Sequence, residues 1–252
     1  MSFRRLHPDP GELDAVEAAS ALRADASPPD DRPYLALNMV ATADGRITIG
    51  GRSGPIGNDA DRELFHELRA QVDAVMVGAG TVRTERYGRM VRDPDRRERR
   101  RAAGLDPDPL AVVVSARLAL DADIPLLQDP DSRVLVHTAS DAELEGHRAR
   151  VEYLRADAGD EPGTLPLAPL MRELRARGVE TVMCEGGAVL NAGLLAERLV
   201  DELFLSISPK LAAGAGPAVV AGPSLDPTVE MDLVSVLEAG GHLFLRYRIP
   251  AA

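Results

Sequence analysis

The chain has 252 residues, 45% of them hydrophobic, enough to build a sizeable core as one large α/β domain or two small ones. A formal net charge of −11 argues against a general nucleic-acid or anionic-membrane binder, since both need a basic surface to displace counterions. The single cysteine, Cys184, forms no internal disulfide and gives no metal-ligand spacing, and Lys210 is the only lysine, which removes a catalytic lysine from almost everywhere else.

Residues 1–33 read as an N-terminal extension, with an amphipathic helix around Leu13 to Leu22 and a linker at Ser27-Pro28-Pro29-Asp30-Asp31-Arg32-Pro33. The start at Met1-Ser2-Phe3-Arg4-Arg5 lacks the apolar core of a signal peptide, and no apolar stretch is long enough for a bilayer, so a soluble, cytoplasmic protein is expected. The compact domain is expected over 34–252. There, apolar runs at Tyr34–Ala41, Asp73–Val77, Leu110–Ser115, Arg133–His137 and Thr181–Cys184 read as buried strands. Helical patterns at Asp59–Ala70, Asp141–Arg148, Pro169–Arg177 and Ala188–Leu199 alternate with them, which predicts a mostly parallel sheet covered on both faces. Glu202–Ser208 and His242–Ile249 read as late strands adding antiparallel edges. Between Arg83 and Arg101 nine arginines stand among four acids, and the half from Arg96 onward reads as a solvated, mobile loop.

Four segments carry candidate chemistry. At Val77-Gly78-Ala79-Gly80-Thr81-Val82 a strand runs into two glycines and a helix start, where backbone N–H groups can approach a phosphate. The third glycine of a Rossmann fingerprint is replaced by Arg83, so this turn alone is a weak signal. A second such turn is Cys184-Glu185-Gly186-Gly187-Ala188, and two turns at carboxyl ends of different strands make a ligand cleft. Ser115 and Arg117 end another strand with a hydroxyl and a guanidinium, a pairing suited to the 2′-phosphate of NADPH or to an ordinary turn. Asn38 and Asp44-Gly45 put polar groups into and after the first buried strand; Asp44-Gly45 by itself is a turn signal. The five histidines show no metal spacing, and neither a Gly-x-Ser-x-Gly elbow nor a Walker loop is found.

In this order, "RPYLALNMVATADGRI", "SGPIGNDADRELFHELRAQVDAVMVGAGTVRTE", "VVVSARLAL", "CEGGAVLNAGLL" and "VDELFLSISPKL" resemble the reductase (RibD C-terminal) domain of riboflavin biosynthesis over about Arg32 to Ile249. The resemblance implies a dihydrofolate-reductase-like three-layer α/β/α fold, a homodimer, NADPH as cofactor, and no metal. The implied reaction reduces 5-amino-6-(5-phosphoribosylamino)uracil, or a diaminopyrimidine of that type, to its ribitylamino product. Carried over by position, Gly78, Gly80, Thr81, Val82, Ser115, Arg117, Gly186 and Gly187 would line the cofactor site. Ser53 and Arg69 would hold the ribose phosphate, and Asn38, Asp44 and Glu185 would face the pyrimidine or its side chain. Asp44 or Glu185 would be the proton donor. Glu85-Arg86-Tyr87-Gly88 stands where the family usually has an Asp-Asp-Pro segment touching the ribose, so Glu85 and the basic position Arg92 are substrate-side candidates with altered sugar contacts. The His-x-Glu and Pro-Cys-x-x-Cys signatures of the deaminase half are absent. Two alternatives stay open: reduction of dihydrofolate or another pterin on the same scaffold, and a non-catalytic NADPH-binding protein.

Overall fold

The computed structural model describes residues 1–159 and 163–250. Among them, eleven strands form one sheet: β1 (Ser2–His7), β2 (Gly11–Asp14), β3 (Tyr34–Thr42), β4 (Ala74–Gly78), β5 (Leu110–Val114), β6 (Arg133–Thr138), β7 (Arg150–Arg155), β8 (Thr181–Cys184), β9 (Glu202–Ser208), β10 (Asp232–Ala239) and β11 (His242–Arg248). Their order is β2-β1-β10-β11-β9-β3-β8-β4-β5-β6-β7. All pairings from β9 to β7 are parallel, and those from β2 to β9 are antiparallel.

Strict alternation in the central strands explains the three layers. Ala36, Val75, Val77, Val113 and Val136 point into one core, while Leu35, Leu37, Met76, Val112 and Leu135 point into the other. Side chains two apart share a face, so a strand apolar at every position needs cover on both sides. Helices α1 (Ala15–Asp25), α2 (Asp59–Arg69) and α3 (Ala79–Thr84) cover the first face through Leu22, Leu64, Leu68 and Val82. Helices α6 (Ala168–Ala176) and α7 (Ala188–Ala196) cover the second through Leu170, Met171, Leu174 and Leu194. Two further helices, α4 (Pro94–Ala102) and α5 (Pro125–Gln128), lie in the connections on either side of β5.

Three expectations are corrected. Residues 1–33 are not an extension outside the compact domain: β1 pairs with β10, Phe3 is fully buried, and its ring meets Phe244 edge to face at 5.2 Å. The alternating Phe3 and Leu13 supply too few apolar residues to announce these strands; their long-range partners create them. The stretch 141–148 is not helical. Gly146 takes φ +76° there, its carbonyl accepts from Gln128 Nε2 at 2.8 Å, and only Leu144 meets the core. The arginine run is an ordered helix, α4, whose N-cap Asp93 accepts from Arg96 N at 2.9 Å with Pro94 in the first turn. Its charges are tied down: Arg96 and Arg99 pair with Glu67 of α2 at 2.8 Å, and buried Arg100 donates to the carbonyls of Arg69, Ala70 and Val72 that end α2. Strands β7 and β10 are additional to those expected.

Candidate active site

The parallel strands β3, β4, β5 and β8 deliver their carboxyl ends to one rim, the usual place for a ligand in an open α/β sheet. There the two glycine turns are joined. Gly78 N donates to Gly186 O at 2.7 Å, and Glu185 N donates to Met76 O at 2.9 Å. A Cβ on Gly187 would come within 3.2 Å of Thr81 Oγ1, and one on Gly186, whose φ is +82°, within 3.1 Å of Met39 Sδ. Side chains at these positions would need Met39 and Thr81 to give by a few tenths of an ångström, and at Gly186 the positive φ would add backbone strain. Helix α7 starts from Gly187 with no side-chain cap, so its first-turn N–H groups have no side-chain acceptor, and a Cβ on Gly80 would meet open space.

A cleft of about 1030 Å³ opens above this junction. The structure brings Asn38, Ser53, Arg69, Gly78, Gly80, Thr81, Glu85, Arg92, Ser115, Arg117, Glu185 and Gly187 to its wall. Val82 and Gly186 are not on the wall. Val82 is buried in the core below α3, and Gly186 acts through its carbonyl on Gly78. Ser115 is buried, and its Oγ accepts from Ala119 N at 2.9 Å, which shapes the turn presenting Arg117. The guanidinium of Arg117 is exposed and makes no ion pair among the described residues.

Asp44 lies outside the cleft as well, which corrects its assignment as proton donor. Its carboxylate accepts from Thr42 Oγ1 at 2.5 Å and from the backbone N–H groups of Ala212 and Ala213 at 3.1 and 2.7 Å. Those bonds, the Thr42 hydroxyl foremost, pull its pKa down to about 2. A carboxyl so acidic and so occupied staples the loop after β9 to the end of β3; it has no proton to give near neutrality.

Glu185 and Arg69 are both in the cleft wall, but they are each other's partners. Arg69 Nε and Nη2 reach Glu185 Oε1 and Oε2 at 2.7 Å each, Nη1 donates to Met90 O at 3.2 Å, and Tyr87 Oη donates to Glu185 Oε2 at 2.6 Å. The Arg69 guanidinium also lies 4.2 Å from the centre of the Phe65 ring. Burial acts to lower the Arg69 pKa, but the charge and hydrogen bonds of Glu185 outweigh it and hold the guanidinium above its ordinary value. Burial, with Glu185 adding to it, pushes the Tyr87 phenol well up, so it stays a donor. This closed fork corrects the reading of Arg69 as a phosphate clamp. Arg92 has an exposed guanidinium with no ion pair among the described residues and is the freer cation on this wall.

Ser53 and Glu85 also meet each other: Ser53 N and Oγ donate to Glu85 Oε1 at 2.8 and 3.0 Å, fastening the loop before α2 to the end of α3. Met39, Asp61, Phe65 and Tyr87 line the cleft without having been singled out by sequence. The signal available for two of them was helical spacing. Asp61, Phe65 and Arg69 fall at every fourth position of α2, in the row adjoining the apolar set Ala60, Leu64 and Leu68. Burial raises the Asp61 carboxyl above its ordinary value, opposed by the Ser206 hydroxyl and by His242 and Arg62.

The RibD C-terminal domain model matches residues 33–245. The chain belongs to the RibD C-terminal domain family. Among its relatives, the 2,5-diamino-6-ribosylamino-4(3H)-pyrimidinone 5′-phosphate reductase of Archaeoglobus fulgidus is 34% identical over 196 residues, covering 77% of this chain and 88% of that protein. The protein of that name from Methanothermobacter thermautotrophicus is 30% identical, with 86% and 99% covered. Against the RibD protein of Escherichia coli, 26% identical, this family member spans about half the length, 53%. The fold is that of a pyrimidine reductase-like protein from Corynebacterium diphtheriae, at TM-score 0.78, 23% identity and coverage of 95% and 100%. It is also shared with the Saccharomyces cerevisiae riboflavin biosynthesis reductase Rib7, at TM-score 0.71, 20% identity and coverage of 94% and 100%. The three-layer α/β architecture expected for the family is thus the one observed. Among the described residues no helix of this family member is long and apolar enough to cross a membrane.

Proposed function

We propose that the protein is an NADPH-dependent reductase that converts the ribosylamino chain of a 5-phosphorylated aminopyrimidine into a ribitylamino chain. The observation that carries this reading is the pair of joined glycine turns at the floor of one large cleft, with Arg117 free beside them. Close relatives are named as pyrimidine phosphate reductases, which are oxidoreductases.

The residues present fit a phosphorylated dinucleotide. The uncapped start of α7 and the open Gly80 offer backbone donors to a pyrophosphate, and the fork of Arg117 suits a 2′-phosphate. When bound, the dihydronicotinamide supplies the hydride that C1′ of the ring-opened sugar imine accepts, while the imine nitrogen takes a proton. The chain itself binds and orients. Arg69, Glu185 and Tyr87 form a rigid wall where the two turns meet, and Asn38 and Arg92 present free polar groups to the substrate. With Asp44 withdrawn, Glu185 is the remaining carboxylate of the original pair, and its bidentate pairing makes it a positioning group. A homodimer acting in the cytoplasm belongs to the same reading. Leu233 on β10 and Leu243 on β11, 43% and 37% exposed, mark the sheet face a second copy would cover.

Purified protein should consume NADPH when 2,5-diamino-6-ribosylamino-4(3H)-pyrimidinone 5′-phosphate is added, and a ribitylamino product should accumulate. Turnover with dihydrofolate alone would move the activity to a pterin. NADPH binding without turnover on any pyrimidine or pterin would leave only a binding protein.

A further inference from the structure

Helix α2 presents an acid, Asp61, to the cleft one turn before Phe65 and two before Arg69. Its position at the third residue of the helix invites a capping role, but Asn58 fills that role, with Oδ1 accepting from Asp61 N at 2.9 Å. The Asp61 carboxyl makes no ion pair among the described residues. Beneath it lies Ser206 of β9, in register with Val40, which is two residues on from Asn38 along the same face of β3. Asn38 and Asp61 thus stand on the same side of the sheet and both line the cleft. A carboxyl held in this wall, near an amide and an aromatic ring, is placed to meet the edge of a flat heterocycle.

We propose that Asp61 reads the ring edge of the substrate and selects the pyrimidine that still carries its 2-amino group. This rests on the reductase reading above. A 2-amino-4(3H)-pyrimidinone offers its N3–H and an amino N–H side by side, two parallel donors that match the two oxygens of one carboxylate. A uracil offers N3–H beside a C2 carbonyl, so one carboxylate oxygen would face another oxygen, and a site built for a donor rejects its absence. Burial raises the carboxyl and the Ser206 hydroxyl opposes that only in part, so a further donor pair from the ring edge would favour the ionised form. The choice places the reductase in a sequence of reactions. It acts before hydrolysis at C2, and a hydrolytic deaminase must then add water to the ribitylamino product and release ammonia, leaving a carbonyl.

The test compares the wild-type protein and Asp61→Asn, each with NADPH and with the ribosylamino 5′-phosphates of the 2,5-diaminopyrimidinone and of 5-aminouracil. Wild type should favour the diamino ring by about tenfold or more in kcat/KM. Asparagine presents one acceptor and one donor, which match N3–H and the C2 carbonyl. The variant should therefore shift the ratio toward uracil by roughly ten- to a hundredfold, carried in KM with kcat on the better ring little changed. Asp61→Ala should lose the discrimination without reversing it, and an unaltered Kd for NADPH in both variants shows an intact fold. If all three proteins turn over with the same ratio of the two rings, Asp61 does not read the ring. If wild type turns over neither ring, the reductase reading falls and this inference with it.

Discussion

Glu185→Gln isolates the network on which the cleft wall depends. The substitution keeps the shape but removes the charge that meets both Arg69 nitrogens at 2.7 Å and the Tyr87 hydroxyl at 2.6 Å. Arg69 exposes only 9% of its side chain and would keep the Met90 carbonyl and the Phe65 ring as partners. Breaking one side of a buried ion pair costs about 3 to 5 kcal/mol, and the surviving partners place this site near about 3. For a domain of this size that corresponds to a fall in Tm of roughly 6 to 12 °C. Urea and thermal unfolding of the two proteins, with and without NADPH, measure it. Arg69→Met combined with Glu185→Leu should recover much of the stability, because an apolar pair of similar volume replaces a desolvated one. It should not recover turnover. A loss below about 1 kcal/mol for Glu185→Gln would show that the pair is not desolvated and would refute the argument.

Two further substitutions test the site assignments, Asp44 as corrected and Arg117 as retained. Asp44→Ala should leave kcat within a small factor of wild type, since its carboxylate binds Ala212 and Ala213 outside the cleft; a collapse of kcat with KM unchanged would restore it as a catalytic residue. Because folding depresses its pKa from 3.8 to about 2, its stabilising effect is complete above the ordinary value and is lost as pH falls toward the lower one, so the variant should show a shallower acid-unfolding limb. Arg117→Ala should narrow the preference for NADPH over NADH by raising the KM for NADPH alone, and an equal rise for both cofactors would mark a structural role instead.

Much of the fold was legible because the central strands are apolar on both faces, and short apolar runs such as that at the head of β3, recurring between helical patterns, fit a sheet covered on both sides. Strands β1, β2 and β7 were not legible, since their exposed and half-buried alternation carries few apolar residues and depends on distant partners. Helix α4 was misread for a related reason: its arginines look solvated until Glu63 and Glu67 of α2 come opposite them. At the site, the glycine turns were legible as close backbone approaches, which glycine permits. Charged residues were not. The sequence places Glu185 and Asp44 just after strands and Arg69 at the end of a helix, but whether a charge meets a ligand or another charge is a property of the folded neighbourhood.

The atypical segment Glu85 to Gly88 gains a coherent meaning from that neighbourhood. Glu85 fastens Ser53, and Tyr87 completes the shell of Glu185, so both side chains close the wall against other parts of the chain. A Cβ on Gly88 would overlap the Arg92 guanidinium, which means that the absent side chain lets Arg92 lie across the segment. Arg69 has its fork on Glu185 and cannot also grip a phosphate, while Arg92 keeps its donors free. We infer that Arg92, not Arg69, is the cation placed to take the substrate's 5′-phosphate; Arg92→Ala should weaken the phosphorylated substrate, and Gly88→Ala, which need only turn the guanidinium aside, should do so less. Comparing KM for the phosphorylated and dephosphorylated substrates in Gly88→Ala and Arg92→Ala decides it. If both variants weaken the two substrates equally, Arg92 does not hold the phosphate.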